Sequence, residues 1–283
     1  MKVAQTMTDG RAEMSSSSGG TMLDLVGVQK TYAGKRSFEA IRDVTLSVRA
    51  GEFVCIVGPS GAGKTTLLRS IAGLQSISGG EVRLEGSRVD GPPEGMAVVF
   101  QEYARSLFPW MTVRQNIALP LKQKGLSRHD IDANVAEALE AVGLSEDHDS
   151  YPWQLSGGMQ QRVAIARAVA YEPKVLLMDE PFAAVDAQTR ADLEDLVLAL
   201  WKRLGVTVIF VTHDIDESVY LGQRVIVLSN SPTEPLEDLA VDLPSERDQL
   251  TTRMLPRFAE LRAHVYGQIQ ASKAGARPGD VQP

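Results

Sequence analysis

Eight residues, Gly58-Pro59-Ser60-Gly61-Ala62-Gly63-Lys64-Thr65, constrain this chain more than any other stretch, because they meet every fixed position of the pattern G-x-x-x-x-G-K-[ST]. The run before them, Glu52 to Val57, is short, apolar and β-branched, the composition of a strand buried on both faces. After them, Thr66 to Ala72 sets apolar residues at helical spacing and stops at Gly73, a C-cap residue. A strand, a glycine-rich turn and a helix N-terminus present converging N–H groups and a positive dipole end, so the expected ligand is a nucleotide phosphate. Gly58, Gly61 and Gly63 let the backbone approach that phosphate. Lys64 is expected to reach the β/γ-phosphates and Thr65 to offer its hydroxyl to Mg²⁺, with Thr66 completing the binding set.

The rest of the composition narrows the class. A chain of 283 residues with 43% apolar and 23% charged residues is an ordinary globular protein of one or two domains. No apolar run approaches the ~20 residues of a membrane span. A net charge of −7 gives no overall basic field for nucleic acid or anionic lipid, so work at a membrane calls for a protein partner. Cys55 is the only cysteine, which excludes an internal disulfide, and its mid-strand position reads as core packing. Residues 1–21, with Ser15 to Gly20 and no apolar stretch, read as a disordered leader and not a signal peptide; with the cysteine usage they point to the cytoplasm.

Further along the chain, alternation over Leu23–Val28, Ala40–Val48 and Gly80–Gly86 predicts an antiparallel layer open to solvent on one side. Tyr32 falls in an exposed turn between the first two of these strands, where its ring either stacks on a base or packs locally. Met96 to Phe100 reads as a buried strand, and Gln101 just past it either contacts Mg²⁺ or the attacking water or is a loop amide. Val113 to Val142 reads as helical, preceded by the apolar, proline-broken segment Ser106 to Thr112. Ser156 caps a helix whose N–H groups Gly157 and Gly158 expose, a second candidate anion site. Lys174 to Asp179 is a buried strand ending in two carboxylates: Asp179 is placed to hold Mg²⁺ and Glu180 to orient or deprotonate a water. Ala187 to Leu204 reads as a helix and Val206 to Thr212 as a buried strand ending at His213, which can contact the γ-phosphate or position the water. A last core strand is expected at Arg224–Leu228, and a final helix opening at Pro256 before a frayed end from Ala271.

Taken together, these residues resemble the nucleotide-binding subunit of ATP-binding cassette transporters from Leu23 to Leu228. Tyr32 matches the family's base-stacking aromatic, Gly58 to Thr65 its Walker A loop and Gln101 its Q-loop. Leu155 to Gln160 matches the signature motif, with Met159 where the family often has glutamine, and Val175 to Asp179 the Walker B strand, with Glu180 as catalytic base. Asp186 falls in the D-loop, written here Ala183-Ala184-Val185-Asp186, and His213 is the H-loop switch. The resemblance implies an α/β fold: a RecA-like P-loop NTPase core with an antiparallel β layer and an inserted helical signature subdomain at about 102–165. It sets the ATPase domain at 22–235 and leaves 236–283 as a tail with a short helix.

The resemblance also implies a head-to-tail homodimer, with ATP between the Walker A loop of one subunit and Ser156, Gly157 and Gly158 of the other. Phe100 to Tyr103, Leu107 to Val113 and Phe258 to Arg262 look like the nitrate/sulfonate/taurine importer group. That likeness implies an integral membrane permease docked near residues 106–112, indirectly a solute-binding protein, and a place on the inner face of the cell membrane. Cassette ATPases that act on DNA or the ribosome carry a long coiled coil or two cassettes. Here 53 residues separate Gln101 from Leu155 and there is one Walker A loop, so no nucleic-acid partner is expected.

Overall fold

The computed structural model describes residues 20–34 and 37–273. Residues 1–19 of the expected leader and the expected frayed end beyond 273 lie outside them.

Five short apolar runs become the parallel core because each has no polar face to give to water. They are β3 (Phe53–Val57), β6 (Met96–Val99), β7 (Val175–Asp179), β8 (Thr207–Val211) and β9 (Arg224–Leu228). With β10 (Pro235–Ala240) antiparallel on one edge, the order is β10-β9-β3-β8-β7-β6. The strand period of two splits the interior: Phe53, Cys55 and Val57 face one buried cluster, while Val54 and Ile56 face the other. Burial also pushes the Cys55 thiol well above its ordinary pKa, in keeping with a packing role.

One face of this sheet is covered by α1 (Lys64–Ile71) and by an antiparallel layer. That layer runs β2-β1-β4-β5, built from β1 (Thr21–Tyr32), β2 (Phe38–Arg49), β4 (Gly79–Leu84) and the two-residue β5 (Ser87–Arg88). Its alternation is clear in β2, where Ile41, Val44, Leu46 and Val48 are buried and Arg42, Thr45, Ser47 and Arg49 are exposed. Tyr32 ends β1 and so belongs to the sheet, where the sequence suggested a turn.

Helices cover the other face: α2 (Tyr103–Ser106), α3 (Val113–Gln123), α4 (Arg128–Ala141), α5 (Gly157–Ala170), α6 (Ala187–Leu204), α7 (Ile215–Leu221) and α8 (Pro256–Lys273). The expected helix over 113–142 is two helices. Gly125, at φ +70°, turns the chain, and Ser127 caps α4 by accepting from the Asp130 N–H at 3.2 Å. The helical stretch that interrupts the core runs from Tyr103 through Ala170, past the expected 165, because α5 continues unbroken to the turn before β7. β6 is shorter and more open than its sequence suggests. As an edge strand it leaves Met96, Ala97 and Val98 half-buried and stops at Val99.

The C-terminal segment departs furthest from expectation. α8 has 18 residues, and Phe258, Leu261, Val265 and Ile269, one face at helical spacing, are buried in the main core. Arg253, just before it, reaches the buried Glu194 of α6 at 2.6 Å and lies over the Tyr220 ring. Phe258→Ala is therefore expected to destabilise the fold by about 3–5 kcal/mol, as truncation of a core aromatic does. Chemical denaturation measures it, and a loss below ~1 kcal/mol would mark α8 as peripheral.

Candidate functional site

The strand order sets the carboxyl ends of β3, β8 and β7 side by side, where open α/β sheets bind ligands. β3 leads into the glycine-rich loop. Ala62 is tied inward, its carbonyl accepting from the hydroxyl of the fully buried Thr233. Gly63 caps α1 at φ +76°, and a Cβ there would sit 2.9 Å from Thr233 Oγ1 and 3.2 Å from the Ala40 carbonyl oxygen. Only glycine fits both the dihedral and the space.

Lys64 is 6% exposed, and its ammonium donates to the Gly58 and Pro59 carbonyls at 3.0 and 3.2 Å. It also lies 3.7 Å from Glu180 Oε1. Burial pulls the Lys64 pKa down, and the charge of Glu180 pulls it back up.

β7 delivers the acids. Asp179 is buried and accepts from the Thr65 hydroxyl at 3.1 Å; burial pushes its pKa up and that hydrogen bond pulls it down. Glu180 follows at φ +44°, a conformation seldom adopted by residues with a side chain, with its N–H bonded to the Val211 carbonyl at 2.8 Å. This strained corner turns the carboxylate across the strand ends. Glu180 Oε2 then lies 3.0 Å from His213 Nδ1 and 3.5 Å from Gln101 Nε2. Since an ionised carboxylate only accepts, Nδ1 carries the proton when the histidine contact forms. Lys64, Gln101 and His213 thus converge on one carboxylate.

Two cavities flank this centre. One, of about 330 Å³, is lined by Phe38, Ala40, Ser60 through Thr66, and Glu180. The other, of about 790 Å³, takes in Thr65, Gln101 and Asp179 with Arg69, Phe100 and Ala183. Tyr32 reaches the first through its hydroxyl, 3.3 Å from Thr66 Oγ1, while its ring stacks on Phe38 at 6.5 Å between centroids. Phe38, which nothing in the sequence singled out, is the aromatic that lines the cradle. Thr233 was equally unforeseen, since its contact spans 171 residues.

Ser156, Gly157, Gly158 and Asp186 line neither cavity. Ser156 caps α5, accepting from the Met159 N–H at 3.3 Å, and Ser156 and Gly157 are exposed. Asp186 caps α6, accepting from the Thr189 N–H at 3.0 Å and the Thr189 hydroxyl at 2.7 Å, bonds that hold its pKa low. Thr189 joins the two turns: a Cβ on Gly158 would meet its Cγ2 at 2.5 Å. A second set of N–H donors and a capping carboxylate therefore sit together, apart from the first cradle.

Residues 41–183 match the family described as ABC transporter. The chain is 45% identical over 227 residues to the nitrate import ATP-binding protein NrtD of Synechocystis sp., covering 80% of this chain and 85% of that protein. It is 42% identical over 240 residues to the taurine import ATP-binding protein TauB of Jannaschia sp., covering 82% and 87%. Among solved structures it superposes on a dimeric post-hydrolysis state of the ATP-binding cassette MJ0796 bound to ADP and Pi, with a TM-score of 0.69, 35% identity, and 78% and 99% of the two chains covered.

Lys64 is the only cation among the described residues lining the smaller cavity. Lys64→Ala should weaken nucleoside triphosphate binding about 10- to 150-fold, the equivalent of the ~1.5–3 kcal/mol of a charge-assisted hydrogen bond. Calorimetric titration reads this directly, and an unchanged Kd would remove Lys64 from the phosphate site.

Proposed function

The chain belongs to the ABC transporter family of ATP-binding proteins, and from that premise we propose that it is the ATP-hydrolysing subunit of an importer for a small solute of the nitrate, sulfonate or taurine kind. The observation that carries the catalytic part is the convergence of Lys64, His213 and Gln101 on Glu180. Glu180 acts as the general base. Its Oε2 takes a proton from water as that water attacks the γ-phosphorus, and ADP leaves as the β–γ bridging bond breaks. His213 holds the base and senses the γ-phosphate, and Gln101 orients the water from the side of the larger cavity. Gly58 through Thr66 bind the phosphates, and Tyr32, with Phe38 beneath it, supports the base.

The Thr65 hydroxyl, the Asp179 carboxylate and the Gln101 amide offer hard oxygens with a single carboxylate among them. That sparse set suits Mg²⁺, which completes its shell with water and phosphate oxygens. Bound there, the ion would screen the phosphate charge.

The separation of Ser156, Gly157, Gly158 and Asp186 from the cradle supports a homodimer in which each chain closes the other's nucleotide. The two copies would meet head to tail, as two halves of each site require. The permease contact is assigned to residues 106–112. There Asn116, fully buried, bonds the carbonyls of Phe108, Met111 and Thr112 and accepts from the Phe108 N–H. This brace leaves Leu107 buried and presents Trp110, 69% exposed and edge-on to Phe108. No helix among the described residues is long and apolar enough to cross a membrane, so the permease would hold this subunit at the inner face.

Glu180→Gln should keep ATP affinity within about threefold, lower turnover by at least ~100-fold and accumulate an ATP-dependent dimer on size exclusion. Near-normal hydrolysis would refute the base assignment. Trp110→Ala should weaken capture of the permease by about tenfold or more, as loss of an aromatic anchor does, with Kd for ATP unchanged. Equal capture would move the docking site elsewhere.

A further inference from the structure

His213 is the middle residue of a three-residue link between β8 and α7, and the residues on either side of it are clamped by charge. Thr212, 1% exposed, donates its hydroxyl to Glu217 Oε2 at 2.5 Å and accepts the Asp214 N–H at 2.9 Å. Asp214 caps α7 through Oδ1, which accepts from the Asp216 and Glu217 N–H groups, and meets Arg190 Nη1 through Oδ2 at 3.3 Å. The same guanidinium lies 3.5 Å from Glu217 Oε1, an ion-pair distance without a hydrogen bond, and 3.5 Å from the Val185 carbonyl. Arg190 therefore spans from the turn before Asp186 to Asp214, beside His213, and to Glu217, whose carboxylate holds Thr212 on its other side.

The other side of the link is open. A cavity of about 580 Å³ borders it, lined by His213, Asp214, Asp216, Arg262 and Tyr266, with Arg262 paired to Asp216 at 2.6 Å. Packing alone leaves His213 free to shift into that space, so the ionic clamp sets its position.

We infer that Arg190 and Glu217 are positioning residues for hydrolysis: together they fix His213 against Glu180 and couple the Ala183–Asp186 turn to it. This rests on the reading of His213 and Glu180 as the hydrolytic pair. A buried acid is a poor choice for packing, since apolar residues of similar volume fill such sites at least as well. Glu217 faces the Thr212 hydroxyl from the link after β8, Arg190 and Glu194 from α6, Asp214 at the head of α7 and the Cys55 thiol from β3. Burial first, then Asp214 and Glu194, push its pKa up to about 7, against the pull of Thr212 and Arg190. Above that pH the ionised carboxylate holds Arg190 and accepts from Thr212. Below it Glu217 takes up a proton and the clamp loses its ionic half, so turnover rises as pH passes upward through about 7.

The test compares steady-state ATP hydrolysis by Arg190→Gln, Glu217→Gln, the double variant and His213→Ala in the assembled protein. Each single clamp variant is expected to lower kcat about tenfold, within the range a misplaced group produces, with KM changed less than twofold. The double variant should be no worse than the poorer single, because both act through one link. Glu217→Gln should also lose the rise in kcat centred near pH 7. Wild-type kcat in folded single variants, KM rising in step with the fall in kcat, losses that multiply in the double, or an unaltered pH profile would each overturn the inference. Should Arg190→Gln fail to fold, Arg190→Lys keeps the charge without the fork, and wild-type kcat there is equally fatal. His213→Ala separates the two levels. Full activity in it defeats the assignment of His213, whereas an inactive His213→Ala beside normal clamp variants defeats the clamp alone.

Discussion

The contact between Lys64 and Glu180 is where the separate parts of this fold meet. The two charges come from different strands, β3 through its loop and β7 at its end, with β8 between them carrying His213. Neither charge is well solvated, since their side chains are 6% and 17% exposed. At 3.7 Å the pair is longer than a strong ionic hydrogen bond, and Lys64 spends its donors on the carbonyls of its own loop. A desolvated cation whose closest partners are neutral carbonyls gains much from an incoming anion. The parallel register of three adjacent strands makes that arrangement possible, and the core on both faces of the sheet exists to hold it.

Much of this was legible because motif and secondary structure agree locally. The helix at Ala187–Leu204 was read to the residue, since Asp186 is a capping type and Gly205 ends it in a left-handed conformation. Asp179, Glu180 and His213 were legible because each follows a run too apolar to be anything but a core strand. What escaped depends on distant contacts. Asn116, Thr233 and Phe38 look like ordinary helix, loop and strand residues until the fold brings Phe108, Ala62 and the cradle to them. Arg190 and Glu217 look like the polar face of two helices, and only their packing shows one fork between two acids. The break at Gly125 was missed for another reason: apolar periodicity persists across it, and a four-residue connection is short beside the period used to find helices.

The C-terminal segment joins the active centre to a part of the chain beyond the matched family region. Arg253 holds Glu194, Tyr220 donates to Asp195 at 2.6 Å, and Arg262 holds Asp216 three residues from His213. The first and last contacts bind α6 and α7 to the C-terminal segment and the second ties α7 to α6, along the side of the sheet that bears the Ala183–Asp186 turn and the histidine link. Removing Arg253 would leave the buried Glu194 desolvated, so this segment contributes to the packing of α6 as well as holding α7 at Asp216.

In the homodimer proposed above, closure of two such chains would have to overcome their charge. Each carries −7, and each bound ATP would add more, so two copies would meet against a repulsion that local features must offset. The features available for this are Lys64 with the N-terminus of α1 on one copy, and the exposed N-terminus of α5 at Ser156 and Gly157 on the other. A triphosphate in the gap is a single anion that both sets can hold at once. Hydrolysis divides it into two anions that repel each other, and neither can bridge the gap as the intact chain of phosphates did. In such a dimer the same electrostatics that call for ATP on closure would favour opening after hydrolysis, and the timing between them would fall to the groups around Glu180.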